Sequence, residues 1–488
     1  YFYYKLNSGG YEQLAITEEK PGSQNFSIMV QGAGQQFSGR GTPTGFDPTT
    51  VQNVQALTTE YHFAGKDLPA IRTEAYMTTL YDYVTKVEFD LASIRMPGQQ
   101  VRHFSNNWES LSEMLLKSEA FGGALRQRGF LKDAARAIPA SPDTALRAAS
   151  AWQWVAGQMK YNGTETKYAE ATLKKAFDAH AGNVADLNLT LVALLREAGL
   201  DAHPVILSTR DHGRVKPWHA QSAKFNYVVA AVRVGDHWML LDATEPTGKP
   251  GVLPTRCLNG DGWLVREKGG EFVSLEPTDR HMNTTMLTLA LDADGGLSGK
   301  ADFSNMGYAG ASVRRELLSD GPDKYAGAFR KARPSWEFPK LDVNNLENPA
   351  EALALTCSLH IGEGAQVAGG RMYLKPLLTE GEDENPFRQE QRRYPVDFAA
   401  PLNHNVTAVY TLPEGFAVEE LPKNTAVALP DGAGRFVYTV AASGNRLQVT
   451  SRVAINKTMF LPDEYPILKE FFDKIVAKHA EQVVLKKL

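Results

Sequence analysis

From the first residue to about residue 104 the chain alternates apolar and polar positions in short runs, YFYYKL, NFSIMV and TKVEFDLASI, divided by clusters of Gly, Pro and Ser. A period of two with breaks of that kind predicts an N-terminal β-sandwich over 1–104. The period then lengthens. In NNWESLSEMLLKSEAF, Trp108, Leu111 and Leu115 fall at helical spacing, so 105–139 is expected to be a helical linker. SPDTALRAASAWQWVAGQ carries a start signal, with Ser141 as N-cap, Pro142 at the first helical position and Asp143 in the first turn. Ala148, Trp152, Val155 and Met159 make the stripe that this helix buries. A second helix in YAEATLKKAFDAHAG is expected to close at Gly182, and a third to run from Val184 to Ala198 with Gly199 as its left-handed stop. HPVILST, FNYVVAAVRV and HWMLLDAT are β-rich, so 140–272 is predicted to be helices followed by an antiparallel sheet.

Strand periodicity returns for 273–488. MLTLALDADGGLSGKADFS predicts a hairpin turning at DADGG, with Leu287, Leu289 and Leu291 on one face. EGEDENPFRQEQRRYP is charged enough to be expected as a solvated loop. YPILKEFFDKIVAKHAEQVVLKK predicts a closing amphipathic helix whose Leu468, Phe472, Ile475 and His479 pack on the preceding sheet. Its polar face is not basic enough for a membrane surface.

Composition narrows the function classes. A chain of 488 residues exceeds a single core, and 43% hydrophobic with 22% charged residues is ordinary for a globular protein. The net charge of −4 argues against nucleic acid as a partner, because a phosphate backbone is bound by excess Lys and Arg. Cys257 and Cys357, the two cysteines, make neither a disulfide framework nor a thiolate metal site, and His212 and His219 lack a carboxylate pattern around them, so no metal and no cofactor are expected. No apolar run is long enough for a transmembrane helix. YFYYKL starts as a strand without an initiating Met, so the chain is expected to begin inside a larger one, with its first β domain truncated.

One series of segments resembles a known family. GNVADLNLTLVALLREAGLDAHPVILSTR, FNYVVAAV and LLDATEP, in that order, resemble a transglutaminase-like core. The resemblance implies a papain-like fold within an α+β multidomain protein, with the core at 140–272 between the N-terminal β-sandwich and a C-terminal β-rich domain ending in a helix. It also implies a bacterial, envelope-associated setting, periplasmic or extracellular. In such a core a Cys opens the helix and a His and an Asp follow on later strands. Carried over, those positions fall on Val184, Tyr227 and Asp242. Two of the three groups are then replaced. Valine has no lone pair or transferable proton, and a phenol titrates near pH 10, so thiolate–imidazole chemistry is not available to this set.

The expectation is therefore a catalytically inactive module that binds a peptide, protein or glycan. Its candidate binding residues are Asn183, Asp186, Asn188, Arg210, Trp218, His219, Asn226, Tyr227 and Asp242. Structural roles stand beside these: Asn183 and Asp186 suit a helix cap, Asn188 a bond to a neighbouring strand, Arg210 a salt bridge, and Trp218 a buried anchor for its loop. The rival reading is an active hydrolase or acyltransferase with a displaced nucleophile, Cys257; a lone Cys in LPTRCLNG is more commonly a small buried apolar residue.

Overall fold

The fold comes from a computed structural model, which describes residues 2–9, 14–30, 35–37, 43–46, 50–95, 100–103, 107–218 and 220–488. The chain forms two compact units, one of residues 1–72 and 80–107, the other of residues 73–79 and 108–488. In the first unit β1 (Phe2–Gly9) pairs antiparallel with β4 (Lys86–Ile94), which carries the short β5 (Arg102–His103) on its other side. The long strands β2 (Ala15–Val30) and β3 (Thr50–Ala64) form an antiparallel ribbon. Alternation thus gives strands, as read. Among the described residues the ribbon leaves Ile16, Phe26 and Leu57 exposed.

The second unit opens with α1 (Trp108–Lys117) and α2 (Thr144–Gln158). Asp143, not Ser141, caps α2: its carboxylate accepts from Ala145 N and Leu146 N, while the Ser141 hydroxyl, two residues before the cap, accepts from Asp143 N. Ala148, Trp152, Val155 and Met159 are all buried. The second helix is shorter than expected, α3 (Leu173–Asp178), and Gly182 lies instead in a two-residue strand beside Lys160 and Tyr161. The third, α4 (Val184–Glu197), stops at Gly199 with φ of 79°.

Every residue of α4 from Val184 to Leu195 is buried. A helix enclosed on all sides is a core element. Three of those residues are polar, so each must find its bonds inside the protein. A five-stranded antiparallel sheet packs on α4 in the order β8 (His237–Leu241), β7 (Tyr227–Val234), β6 (Ala202–Leu207), β9 (Asp261–Leu264) and β10 (Glu271–Ser274). β7 is buried through its first six residues, which is why its sequence shows an unbroken apolar run rather than alternation.

Beyond it, β11 (His281–Leu291) and β12 (Leu297–Met306) form the expected hairpin, with Leu287, Leu289 and Leu291 buried together. The chain then leaves the sheet for two helices, α5 (Gly307–Asp320) and α6 (Pro322–Lys331), which strand periodicity alone did not foretell. It returns in β13 (Asp342–Asn344) and β14 (Leu353–Ile361). After β15 (Ala365–Ala368) and β16 (Arg371–Leu374) come β17 (Leu402–Thr411), β18 (Phe416–Glu420), β19 (Thr425–Ala428), β20 (Gly434–Ser443), β21 (Arg446–Ile455), α7 (Tyr465–His479) and β22 (Val483–Lys487). Eight of these strands make one sheet, ordered β13-β14-β12-β11-β17-β21-β20-β19, in which only β11 and β17 run parallel. α7 buries Leu468, Phe472, Ile475 and His479 as its pattern predicted, but it is not the last element, since VVLKK forms β22 in a smaller four-stranded sheet. The charged segment at 380–395 is also more than a solvated loop: Phe387 and Arg392 are buried, and Phe387 meets Tyr465 and Phe472 edge to face. Among the described residues no helix is long and apolar enough to cross a membrane.

Candidate functional site

The site is built where the buried start of α4 faces the first residues of β7 and the end of β8. Asn183 caps α4 by accepting from Asp186 N at 2.9 Å, and Asp186 returns the bond by accepting from Asn183 N at 3.0 Å. Asp186 also accepts from Glu170 N, and the Asn183 amide donates to Tyr168 O. Both candidates therefore serve the helix end. Val184, the first helical residue, is completely buried, and its N–H donates to Thr164 O.

One turn further, Asn188 reaches the sheet. Its amide donates to Val228 O and Asp242 Oδ1, each at 2.9 Å, and its oxygen accepts from Ala243 N at 2.8 Å. Asn188 thus bridges the helix and two strands instead of facing an open cleft. Asp242 is held on every side: Oδ1 also accepts from Thr244 N and Thr244 Oγ1, Oδ2 accepts from the Tyr227 hydroxyl at 2.8 Å, and its carbonyl accepts from Trp152 Nε1. Tyr227 is fully buried, and burial, reinforced by the Asp242 charge, pushes its phenol well above its ordinary pKa. It stays a neutral donor.

Arg256 closes the cluster from outside. Its guanidinium donates to the Tyr227 oxygen at 3.1 and 3.2 Å, to Thr244 Oγ1 at 2.7 Å and to Glu245 at 2.6 Å, and lies 5.6 Å from the Tyr227 ring centroid. Glu165, next to the Thr164 carbonyl that holds Val184, is 3.9 Å from Arg256 Nε. Burial and the neighbouring Asp211 raise the Glu165 carboxyl pKa. Asn226 fastens this rim, accepting from Thr209 N and donating to Thr209 Oγ1 and Glu165. Sequence reasoning missed Arg256, Glu165 and Thr244. The first two sit in loops with no motif around them, and only their place in the fold brings them here.

Cys257 lies beside the same acid, with Sγ 3.9 Å from Asp242 Oδ2. It is fully buried, and burial together with Asp242 raises its thiol pKa well above the ordinary value. Among the described residues no histidine is hydrogen-bonded to it. A protonated thiol inside the core is neither nucleophile nor metal ligand. No group of three or more metal-ligating side chains occurs among the described residues.

Other candidates lie farther out. Arg210 donates to Asp397 Oδ1 at 2.8 Å and to the Asp397 carbonyl at 3.0 Å, the salt-bridge alternative. Trp218 is 80% exposed, which overturns the buried-anchor alternative. The loop is pinned elsewhere, by the Asn259 amide within 3.1 Å of the Ser208, Thr209 and Gly213 carbonyls and by Trp108 Nε1 on Pro217 O. His219 lies outside the described residues. His212 bonds Ser208 Oγ.

Comparison with known proteins agrees with this geometry at the level of fold. Residues 132–243 match the model of the transglutaminase-like superfamily, and residues 370–485 match a domain of unknown function with solved structure, DUF3858. No curated protein matches the chain. Among solved structures, a candidate protease from Parabacteroides distasonis is similar at 11% identity and a TM-score of 0.48, over 100% of this chain and 76% of that one. A candidate cysteine protease from Cytophaga hutchinsonii is similar at 12% identity and a TM-score of 0.22, over 56% of this chain and 80% of that one. Likenesses this distant carry no argument about chemistry.

Proposed function

We propose that this chain, which carries a transglutaminase-like superfamily domain followed by a DUF3858 domain, is a non-catalytic member of that fold and acts as a binding or scaffold module in the bacterial cell envelope, for a peptide, protein or glycan. The observation that carries the reading is the bonding of Tyr227: its hydroxyl is committed to Asp242 and capped by Arg256, at the edge of a helix that opens with a buried valine. Cysteine chemistry needs a thiolate at the helix start and an imidazole that takes and returns its proton. Here the first position, Val184, has no reactive atom, and the second, Tyr227, is a phenol whose raised pKa keeps its proton on and whose oxygen is bonded by the Arg256 guanidinium. Loss of such groups costs several orders of magnitude in rate. What the arrangement does well is hold α4 to β7 and β8, leaving recognition to the rim and to the exposed Trp218.

The nearness of Cys257 to Asp242 favours a second reading, a displaced nucleophile. Burial and the raised thiol pKa work against it. Treating the folded protein with iodoacetamide and mapping the adducts by mass spectrometry separates the two. The inactive module leaves Cys257 unmodified until denaturant is added, whereas stoichiometric labelling of Cys257 in the native protein, ahead of the buried Cys357, would sink the proposal.

A further inference from the structure

The inner face of the eight-stranded sheet changes character at one end. Along β11 the residues on that face are His281, Asn283 and Thr285, then Leu287, Leu289 and Leu291, because side chains two apart share a face. β12 pairs Asn305 with Asn283 and Phe303 with Thr285, and on the other side β17 places His404 against Asn283 and Val406 against Thr285. Three adjacent strands therefore turn polar at the same end of the sheet, β12 and β17 at the level of Asn283 and β11 two residues sooner, at Thr285. Asn283 donates to Asn305 Oδ1 at 2.7 Å, and Asn305 and Thr285 are themselves buried. Apolar residues here would continue the core without the cost of burying amide and hydroxyl groups, roughly 1–3 kcal/mol for each that loses water unpaired.

The space over this polar end is a cavity of about 720 Å³. That falls within the roughly 300–1,000 Å³ of small-molecule sites. It opens toward His404 and Glu382, whose side chains are 34% and 39% exposed. Its charge is nearly balanced: Arg333 is held bidentate by Glu380 at 2.7 and 3.0 Å, and Glu382 faces His404 at 3.6 Å. Arg333, Glu380 and Glu382 together carry one positive and two negative charges and leave no positive excess to attract an anion. Tyr76, Tyr325 and Phe398 complete the wall with aromatic surface. Short amides, imidazoles and a hydroxyl beside aromatic rings suit a ligand that offers many neutral donors and acceptors around a ring with apolar C–H patches.

We propose that this cavity, at the polar end of the eight-stranded sheet, binds a neutral saccharide of one or two units. The site is remote in sequence from the Tyr227–Asp242 cluster, and sugar binding there does not depend on that cluster being inactive. The test uses the full chain and saturation-transfer-difference NMR with glucose, galactose, mannose, N-acetylglucosamine, cellobiose and lactose, with glucuronic acid as the anionic comparison, followed by titration calorimetry on any sugar that binds. The expected result is saturation transfer to at least one neutral sugar at about 10 mM, weaker transfer to glucuronic acid, and a Kd raised at least about tenfold in Thr285→Val and in His404→Gln at unchanged Tm. Thr285→Val is close to isosteric, so a melting curve like that of the parent shows that any loss reflects the hydroxyl. No transfer to any neutral sugar of the set, preferential binding of glucuronic acid, or equal affinity in both variants would overturn the proposal.

Discussion

The bond from Tyr227 gives Asp242 a structural task. Its carboxylate accepts from the Tyr227 hydroxyl, and burial together with the Asp242 charge raises the phenol pKa and so favours the protonated donor. Asn188 is the residue on which this arrangement hangs, since its side chain makes three buried bonds, to Val228 O, Asp242 Oδ1 and Ala243 N. Asn188→Leu has a similar volume but leaves the Val228 carbonyl and the Ala243 N–H without their partner. It is expected to lower unfolding free energy by about 2–4 kcal/mol in urea denaturation, the range for breaking a buried network. A change under ~1 kcal/mol would show that water replaces those bonds and that the network is not structural. Asn188 was visible in the sequence as a polar residue inside an apolar helix, and a bond to a neighbouring strand was one of its two readings. Arg256 was not visible, because nothing in PTRC says which of its neighbours a loop arginine will reach.

At the scale of elements, period and caps made α2, α4, β6 to β8 and the β11–β12 hairpin legible. The start of α2 slipped by two residues because Ser141, Pro142 and Asp143 each carry a helix-start signal, and the carboxylate, aimed at two free N–H groups, prevailed. α5 and α6 escaped notice since their packing is set by the sheet they return to. VVLKK was read into a helix because nothing local marks the stop after Ala480; its partner strands, β16 and β18, are far away in sequence. α7 offers a test through His479. This side chain is buried, accepts from Glu382 N through Nδ1 at 2.8 Å and pairs with Ser451 Oγ through Nε2 at 2.8 Å. Burial lowers its pKa from 6.5 to about 4. The unfolded chain takes up this proton below about pH 6.5 while the folded chain holds out to about 4, so the contribution is fully present above 6.5 and is lost as pH falls through that window. The His479 share is about 3 kcal/mol. Urea midpoints followed from pH 7 to 4 should fall, and His479→Gln, which keeps an acceptor and a donor, should fall less steeply. Equal slopes would mean that another group drives the acid loss.

For the unit as a whole, the transglutaminase-like core and the C-terminal sheet have separate apolar clusters, and polar bonds cross between them. Asp397 joins the two: it is nearly buried and receives Arg210 at 2.8 Å and Arg214 at 2.9 Å. Removing its carboxylate takes away the anion that Arg210 and Arg214 share across the two clusters, so Asp397→Ala is expected to split thermal unfolding into two calorimetric transitions, while an unchanged single peak would place the coupling elsewhere. The central claim, that the core performs no acyl-transfer chemistry, is tested most directly by turnover. The purified chain would be incubated with casein and with casein plus a primary amine, and the products read by mass spectrometry for new termini and for amine-modified glutamine. The account predicts neither, beyond what denatured protein gives. Cleavage or amine incorporation that disappears in Cys257→Ala would contradict it.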